Sequence, residues 1–168
     1  VVNGGFFLPD RSPLGLVISD GVKLNPLRRA DWGVFYIARG RPHIVHTRDF
    51  KESDAISQAI QSGPRLVADG RPFKLKRQTA RRTAIAIDAA GRILLVFTLV
   101  GSPLASDLAE ILRRQEPEGA GARFALNLDG GPSSQAYVET GGMHLRLDGG
   151  WPVPTAVALA LRETADAR

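Results

Sequence analysis

Residues 84–97, AIAIDAAGRILLVF, place two apolar runs of strand length on either side of Asp-Ala-Ala-Gly. Runs this short, rich in β-branched residues and broken by a turn tetrapeptide, pair most simply as an antiparallel hairpin, with Asp88 and Gly91 supplying the turn. The same grammar recurs along the chain and predicts strands over Gly15–Ile18, Val34–Ala38, His43–Thr47, Leu66–Ala68, Thr83–Asp88, Ile93–Val100, Phe124–Leu128, Gln135–Glu139 and Thr155–Leu161. Two helices are predicted between them. Ser53 would cap the first, with Ala55, Ile56, Ala59 and Ile60 at helical spacing until Gly63-Pro64. The second would start near Ser106-Asp107, carry Leu108, Ala109, Ile111 and Leu112 on one side, and end at Arg113 and Arg114. Strands and helices do not alternate regularly, so a doubly wound parallel fold is not expected. The expected class is α+β, with a mixed or mainly antiparallel sheet and two or more short helices.

The chain has 168 residues, 43% of them hydrophobic, enough for one domain with its own core over residues 1–168. No repeat, linker or low-complexity tract interrupts it, and the polar end, RETADAR, is expected to fray. No apolar stretch approaches the ~20 residues of a membrane helix. The absence of cysteine excludes disulfides, thiolate zinc sites and cysteine nucleophiles. His43 and His46 stand three apart in a predicted strand and so face opposite sides, while His144 is alone; a histidine metal centre is not expected. P-loop, dinucleotide and G-x-S-x-G signatures are all missing.

A net charge of +5 favours anionic partners, and it is uneven: Arg71, Lys74, Lys76, Arg77, Arg81 and Arg82 fall within twelve residues that contain no acid. Most of this run reads as a solvated face, from which one or two arginines could clamp a phosphate through the planar guanidinium fork. Phe73 is the one aromatic residue in the run, too few for a nucleic-acid surface.

The candidate chemistry lies in LNLDGGPSSQ, residues 126–135. A strand that delivers Asp129 at its end, followed by Gly130 and Gly131, leaves a carboxylate at a sheet rim where backbone can approach a ligand without Cβ obstruction. Ser133 and Ser134 add hydroxyls. A plain Asp-Gly turn is the alternative, and the chain contains a comparison: RLDGGW at 146–151 repeats Leu-Asp-Gly-Gly without the hydroxyl pair, so Asp148 reads as structural. At the other end, Asn3 precedes Gly4 and Gly5 and then Phe6 and Phe7, again a polar residue at a strand end before paired glycines.

Taken in order, NGGFF at 3–7, SGPRLVADG at 62–70, RRTAIAID at 81–88, SDLAEIL at 106–112 and ALNLDGGPSSQ at 125–135 resemble the phosphodiester glycosidase family. The resemblance covers nearly the whole chain. It implies an α+β domain that hydrolyses the bond between a sugar anomeric carbon and a phosphodiester oxygen, a carbohydrate phosphodiester as substrate, and a periplasmic or extracellular location like that of exported, exopolysaccharide-associated bacterial relatives. It also implies that strands normally precede NGGFF, so this chain would lack its natural opening segment. Two positions depart from the family pattern: Ala86 stands where a glycine is usual, and the closing Val-Pro-Asn appears as Val153-Pro154-Thr155, where Thr155 is expected to alter the pocket.

Cleaving a glycosyl phosphodiester requires stabilising an oxocarbenium-like carbon and neutralising the departing phosphate. Asp129 would serve as nucleophile or general base. Arg82, ahead of Arg81, would meet the phosphate because it directly precedes a buried strand, and Asn3 would orient the sugar or an oxyanion. Gly4, Gly5, Gly130, Gly131, Ser133, Ser134 and Arg81 would line the substrate cradle. Asp69 and Asp107 are candidates for a second carboxylate, each with an ordinary role as turn residue or cap. No cofactor is required by this chemistry, although an oxygen-ligand cation such as calcium would suit Asp129. The alternative is a binding module that holds anionic glycan or peptidoglycan fragments in the same cleft without cutting them. Oligomeric state is left open.

Overall fold

The computed structural model describes residues 1–160, so the tail from 161 onward, including the end of the expected last strand, lies outside the described residues. In chain order the elements are β1 (Val2–Asn3), β2 (Val17–Ser19), β3 (Val22–Asn25), β4 (Gly33–Ala38), β5 (Arg41–His46), β6 (Ile56–Ser62), β7 (Arg65–Ala68), β8 (Arg71–Pro72), β9 (Thr83–Asp88), β10 (Ile93–Phe97), α1 (Ala105–Arg113), β11 (Ala122–Asn127), β12 (Ala136–Thr140), β13 (Met143–Leu147) and β14 (Ala156–Val157). They form three antiparallel sheets: β10-β9-β11-β7-β8, β3-β2-β6-β4-β5, and β13-β12-β1-β14. The expectation of an α+β domain with several helices is therefore corrected. Antiparallel sheet dominates, and α1 is the single α-helix among the described residues. No helix there is long and apolar enough to cross a membrane.

The first expected helix is strand β6, and its local geometry explains the resemblance to a helix. Ile37 pairs with Gln58 and Ala38 with Ile56, so Ser57 is an extra residue, a β-bulge. That extra residue lets Ile56 and Ala59, three apart, enter the same apolar cluster with Leu16, Ile18, Val34 and Phe50, while Ile60 packs on the opposite side with Phe35, Ile85 and Leu126. A strand covered on both faces, with one bulge, reproduces the three-and-four spacing of an amphipathic helix. Ser53 accordingly caps nothing.

The hairpin of β9 and β10 forms as expected, Thr83 pairing with Phe97 and Ile87 with Ile93, and Asp88 Oδ1 accepts from the Ala90 and Arg92 amides in the turn. Strand β10 stops at Phe97, and Val100, expected within it, is 90% exposed. Along β9 the alternation is strict. Ala84 and Ala86 lie under α1 with Ala105, Leu108, Ala109 and Leu112, and their small side chains let the helix sit close. Ile85 and Ile87 point the other way, into the core where the three sheets meet with Val2, Leu126, Leu128 and Ala136. Leu66, Ile85, Leu126 and Leu128 are fully buried, each contributing about 1.5–3 kcal/mol over an exposed position. Ala86, one of the two departures from the family pattern, thus belongs to the helix layer. The helix α1 starts one residue before the expected Ser106, with Leu104 as an N-cap that makes no side-chain bond, and Ile111 lies half exposed instead of packing with Leu108 and Leu112.

Candidate functional site

Strand β11 ends at Asn127, but the chain stays pinned to the sheet for two more residues: Leu128 N–H donates to Thr83 O at 2.8 Å and Asp129 N–H to Gly4 O at 3.1 Å. Asp129 therefore stands on a rim where the end of β11 meets the end of β1. Its Oδ1 accepts from Gly130 N–H at 2.9 Å, and its Oδ2 makes no hydrogen bond among the described residues. The carboxylate is partly exposed and lines an open depression of about 540 Å³ whose other walls are almost wholly apolar, including Phe6, Phe7, Leu14, Trp32 and Trp151. Phe6 and Trp32 pack ring against ring at 5.0 Å, and Trp151 is held by Nε1–H donation to Ser133 Oγ at 2.9 Å.

Asn3 is the fastener beneath this rim. It is 1% exposed, and every polar atom of its side chain is engaged. Nδ2 donates to Asp129 O at 2.7 Å and Gly4 O at 3.2 Å; Oδ1 accepts from Thr83 Oγ1 at 2.7 Å and from Gln135 N–H at 3.3 Å. One amide joins β1, β9, the segment after β11 and the start of β12. The structure brings Asn3 and Asp129 together, as the sequence suggested, with Asn3 directed at protein groups.

The hydroxyls and glycines are likewise turned inward. Ser133 and Ser134 are 1% and 0% exposed; Ser133 Oγ is occupied by Trp151, and Ser134 Oγ lies 3.2 Å from Thr83 Oγ1. A Cβ on Gly4 would stand 2.3 Å from Thr155 Oγ1, and one on Gly130 would stand 2.8 Å from Arg81 O. Gly5 is closed in by Gln61 O in the same way. Gly4, Gly5 and Gly130 admit neighbouring protein chain, whereas Gly131 has open space around it and is required instead by its left-handed backbone, φ +58°. Thr155, the second departure from the family pattern, packs directly on Gly4.

The two arginines separate by the period of the strand they precede. Arg82, in step with Ala84 and Ala86, directs its guanidinium to the carbonyls of Gln78 and Pro103, and burial without a carboxylate partner pulls its pKa below the usual arginine value. It ties the basic 73–82 loop to the segment before α1. Arg82→Met, which keeps length and removes both charge-assisted bonds, is expected to cost about 1–3 kcal/mol in a urea melt. Arg81, in step with Thr83, lies on the Asn3 side: its carbonyl accepts from Gly131 N–H at 2.8 Å and its Nη1 donates to Asp148 O at 3.1 Å.

Asp148 belongs to the turn that packs on the Asp129 loop. Gly150 N–H donates to Pro132 O, and the Asp148 carboxylate pairs with Arg146 on the surface, in keeping with a structural role. Asp69 pairs with Arg123 in the β7–β8 turn and Asp107 sits in the first turn of α1; neither lines the depression with Asp129. His43 is exposed and stacks on Tyr36, and His46 is buried against Asp31. No three or more His, Asp or Glu side chains converge among the described residues. What the sequence reading missed is the aromatic wall. The signal was present, since both tryptophans of the chain adjoin glycine, at Trp32-Gly33 and Gly150-Trp151, and both line the depression.

A family model described as phosphodiester glycosidase matches residues 1–160. Among curated proteins, an uncharacterised protein of Escherichia coli (strain K12), YigE, is 37% identical over 78 residues, a match that spans 41% of this chain and 31% of that protein. Among solved structures, the catalytic domain of zebrafish N-acetylglucosamine-1-phosphodiester alpha-N-acetylglucosaminidase, auto-inhibited by its pro-peptide, superposes with a TM-score of 0.66 at 21% identity. That match covers 80% of this chain and 51% of the other, and at such identity it speaks for the fold.

Proposed function

The chain belongs to the phosphodiester glycosidase family, and from that premise we propose that it hydrolyses a sugar-1-phosphate diester in the depression beside Asp129. The observation that carries this reading is a carboxylate with one oxygen fastened and the other unbonded, set into an aromatic wall. Aromatic faces receive the apolar C–H face of a sugar ring, and a single well-placed acid then fixes which carbon is attacked. Asp129 Oδ1 is oriented by Gly130 N–H, which leaves Oδ2 to attack the anomeric carbon or to take a proton from water that attacks it.

One carboxylate suffices for this substrate. The departing group is a phosphate monoester, whose second pKa lies near ~6, so it leaves without the strong acid that an alkyl glycoside needs. The C1–O bond breaks, the electron pair stays on the phosphate oxygen, and water supplies the hydroxyl on C1 and the remaining proton. A guanidinium from the Arg81–Arg82 pair would offset the phosphate charge.

The test is incubation with UDP-N-acetylglucosamine in ¹⁸O-water. Free reducing sugar is expected with the label on its anomeric hydroxyl and none on phosphate. Label on phosphate would mean P–O cleavage and overturn the glycosidase reading. Saturable binding with no sugar released would establish the binding module instead.

A further inference from the structure

The geometry points to Arg81, through its Nε–H and Nη2–H edge, as the phosphate seat of this site. Among the described residues the side-chain polar atoms that are buried and lack any partner are Ser62 Oγ, Asn127 Oδ1, and Arg81 Nε and Nη2. The first two are neutral groups, whose demand a single water can meet. Arg81 is different: it is a permanent cation whose two side-edge donors are shielded from water and bonded to nothing. Those two N–H groups are parallel and spaced to meet two oxygens of one phosphate or carboxylate. No carboxylate fills that place. The nearby Asp148 carboxylate is turned to Arg146 at 2.8 Å, and Asp148 contributes only its carbonyl, to Nη1.

The position of Arg81 connects this unpartnered edge to the proposed chemistry. Its carbonyl receives Gly131 N–H and closes against Gly130, the residue that orients the Asp129 carboxylate. Two residues along the chain, the Thr83 hydroxyl donates to Asn3, which in turn holds the Asp129 carbonyl. The guanidinium itself is fixed at Nη1 by the 148–151 turn, the same turn that brings Trp151 to the depression. An anion on the Nε and Nη2 edge would therefore sit beside the rim carrying Asp129, with its cation already oriented. Arg82 has no such edge, since Nε and Nη2 are both spent on carbonyls.

This assignment rests on the phosphodiester reading for its place in catalysis, and it is tested separately from turnover. Wild-type protein with ¹⁵N-labelled arginine is titrated with inorganic phosphate and with phenyl phosphate while the Nε–H signals are followed, Arg81 being assigned by loss of its peak in Arg81→Lys. A saturable downfield shift of the Arg81 Nε–H is expected. Phosphate monoesters are expected to inhibit sugar release competitively, with Ki raised about 10- to 100-fold in Arg81→Gln, a smaller rise in Arg81→Lys, which keeps charge but loses the fork, and no change in Arg123→Gln, which removes the same charge from a distant surface pair. An unmoved Arg81 signal at saturating phosphate, or an unchanged Ki in Arg81→Gln, overturns the seat even if sugar is released normally. A shifted signal in a protein that releases no sugar leaves the seat standing and removes the glycosidase. Should Arg81→Gln fail to fold, the wild-type titration decides alone.

Discussion

Asp129→Asn is expected to lower sugar release at least ~1,000-fold, the scale of losing a nucleophile or base that no neighbour replaces, while the melting temperature stays within a degree or two of wild type. The two halves of that outcome have different origins. The amide is the same size as the carboxylate, and its carbonyl oxygen can still accept from Gly130 N–H, so the turn after β11 keeps its bond. The main-chain ties from Asp129 N–H to Gly4 and from Asn3 to Asp129 O do not involve the side chain at all. What disappears is the unbonded oxygen's ability to attack carbon or take a proton. A variant that retains a tenth of the activity would remove Asp129 from the chemistry, because none of the remaining groups lining the depression is acidic. Phosphate affinity measured on the same variant should be unchanged or slightly tighter, since the substitution removes a negative charge near the proposed seat.

How far the sequence discloses this arrangement depends on whether a residue's partners are local. The β9–β10 hairpin was legible because its turn bonds, Asp88 to the Ala90 and Arg92 amides, span four residues at most. Strand β6 was not, because the bulge at Ser57 and the covering of both faces are set by β2 and β4, about forty and twenty residues upstream. At the rim, Asp129 and Asn3 could be singled out as polar residues at strand ends before paired glycines. That Gly4 and Gly130 make room for Thr155 and Arg81 depends on contacts across the whole chain. The order of the two arginines shows the difference clearly. Proximity to the buried strand favoured Arg82, whereas the strand's period of two sends Arg82 to the helix layer with Ala84 and Arg81 to the side of Thr83 and Asn3. That period was available in RRTAIAID, but which face held the rim was not.

Asn3→Ala is expected to be among the most destabilising single changes in the molecule, roughly 3–5 kcal/mol, as it strands several buried groups at once. Thr83 Oγ1, Gln135 N–H and the Asp129 carbonyl would all lose the partner that the 1%-exposed Asn3 side chain supplies, on three separate segments of the chain. Asn3→Asp separates this fastening role from mere volume, since it keeps the shape and the acceptor oxygen. A carboxylate there would still accept from Thr83 and Gln135, but its second oxygen would face the carbonyls of Asp129 and Gly4. Two acceptors opposed in a buried site favour the protonated acid, so the folded-state pKa of the introduced carboxyl would rise above the unfolded value of about 3.9. The sign follows by linkage: below that unfolded value the variant approaches wild-type stability, and it loses stability as pH rises through the folded pKa, reaching its full deficit above it. Urea melts of both proteins between pH 3.5 and 8 measure that difference directly. A deficit that did not change with pH would mean that Asn3 Nδ2 contributes nothing to holding Asp129. A deficit that grows with pH, with sugar release falling in parallel, would identify the buried amide as what keeps the Asp129 carboxylate at the rim.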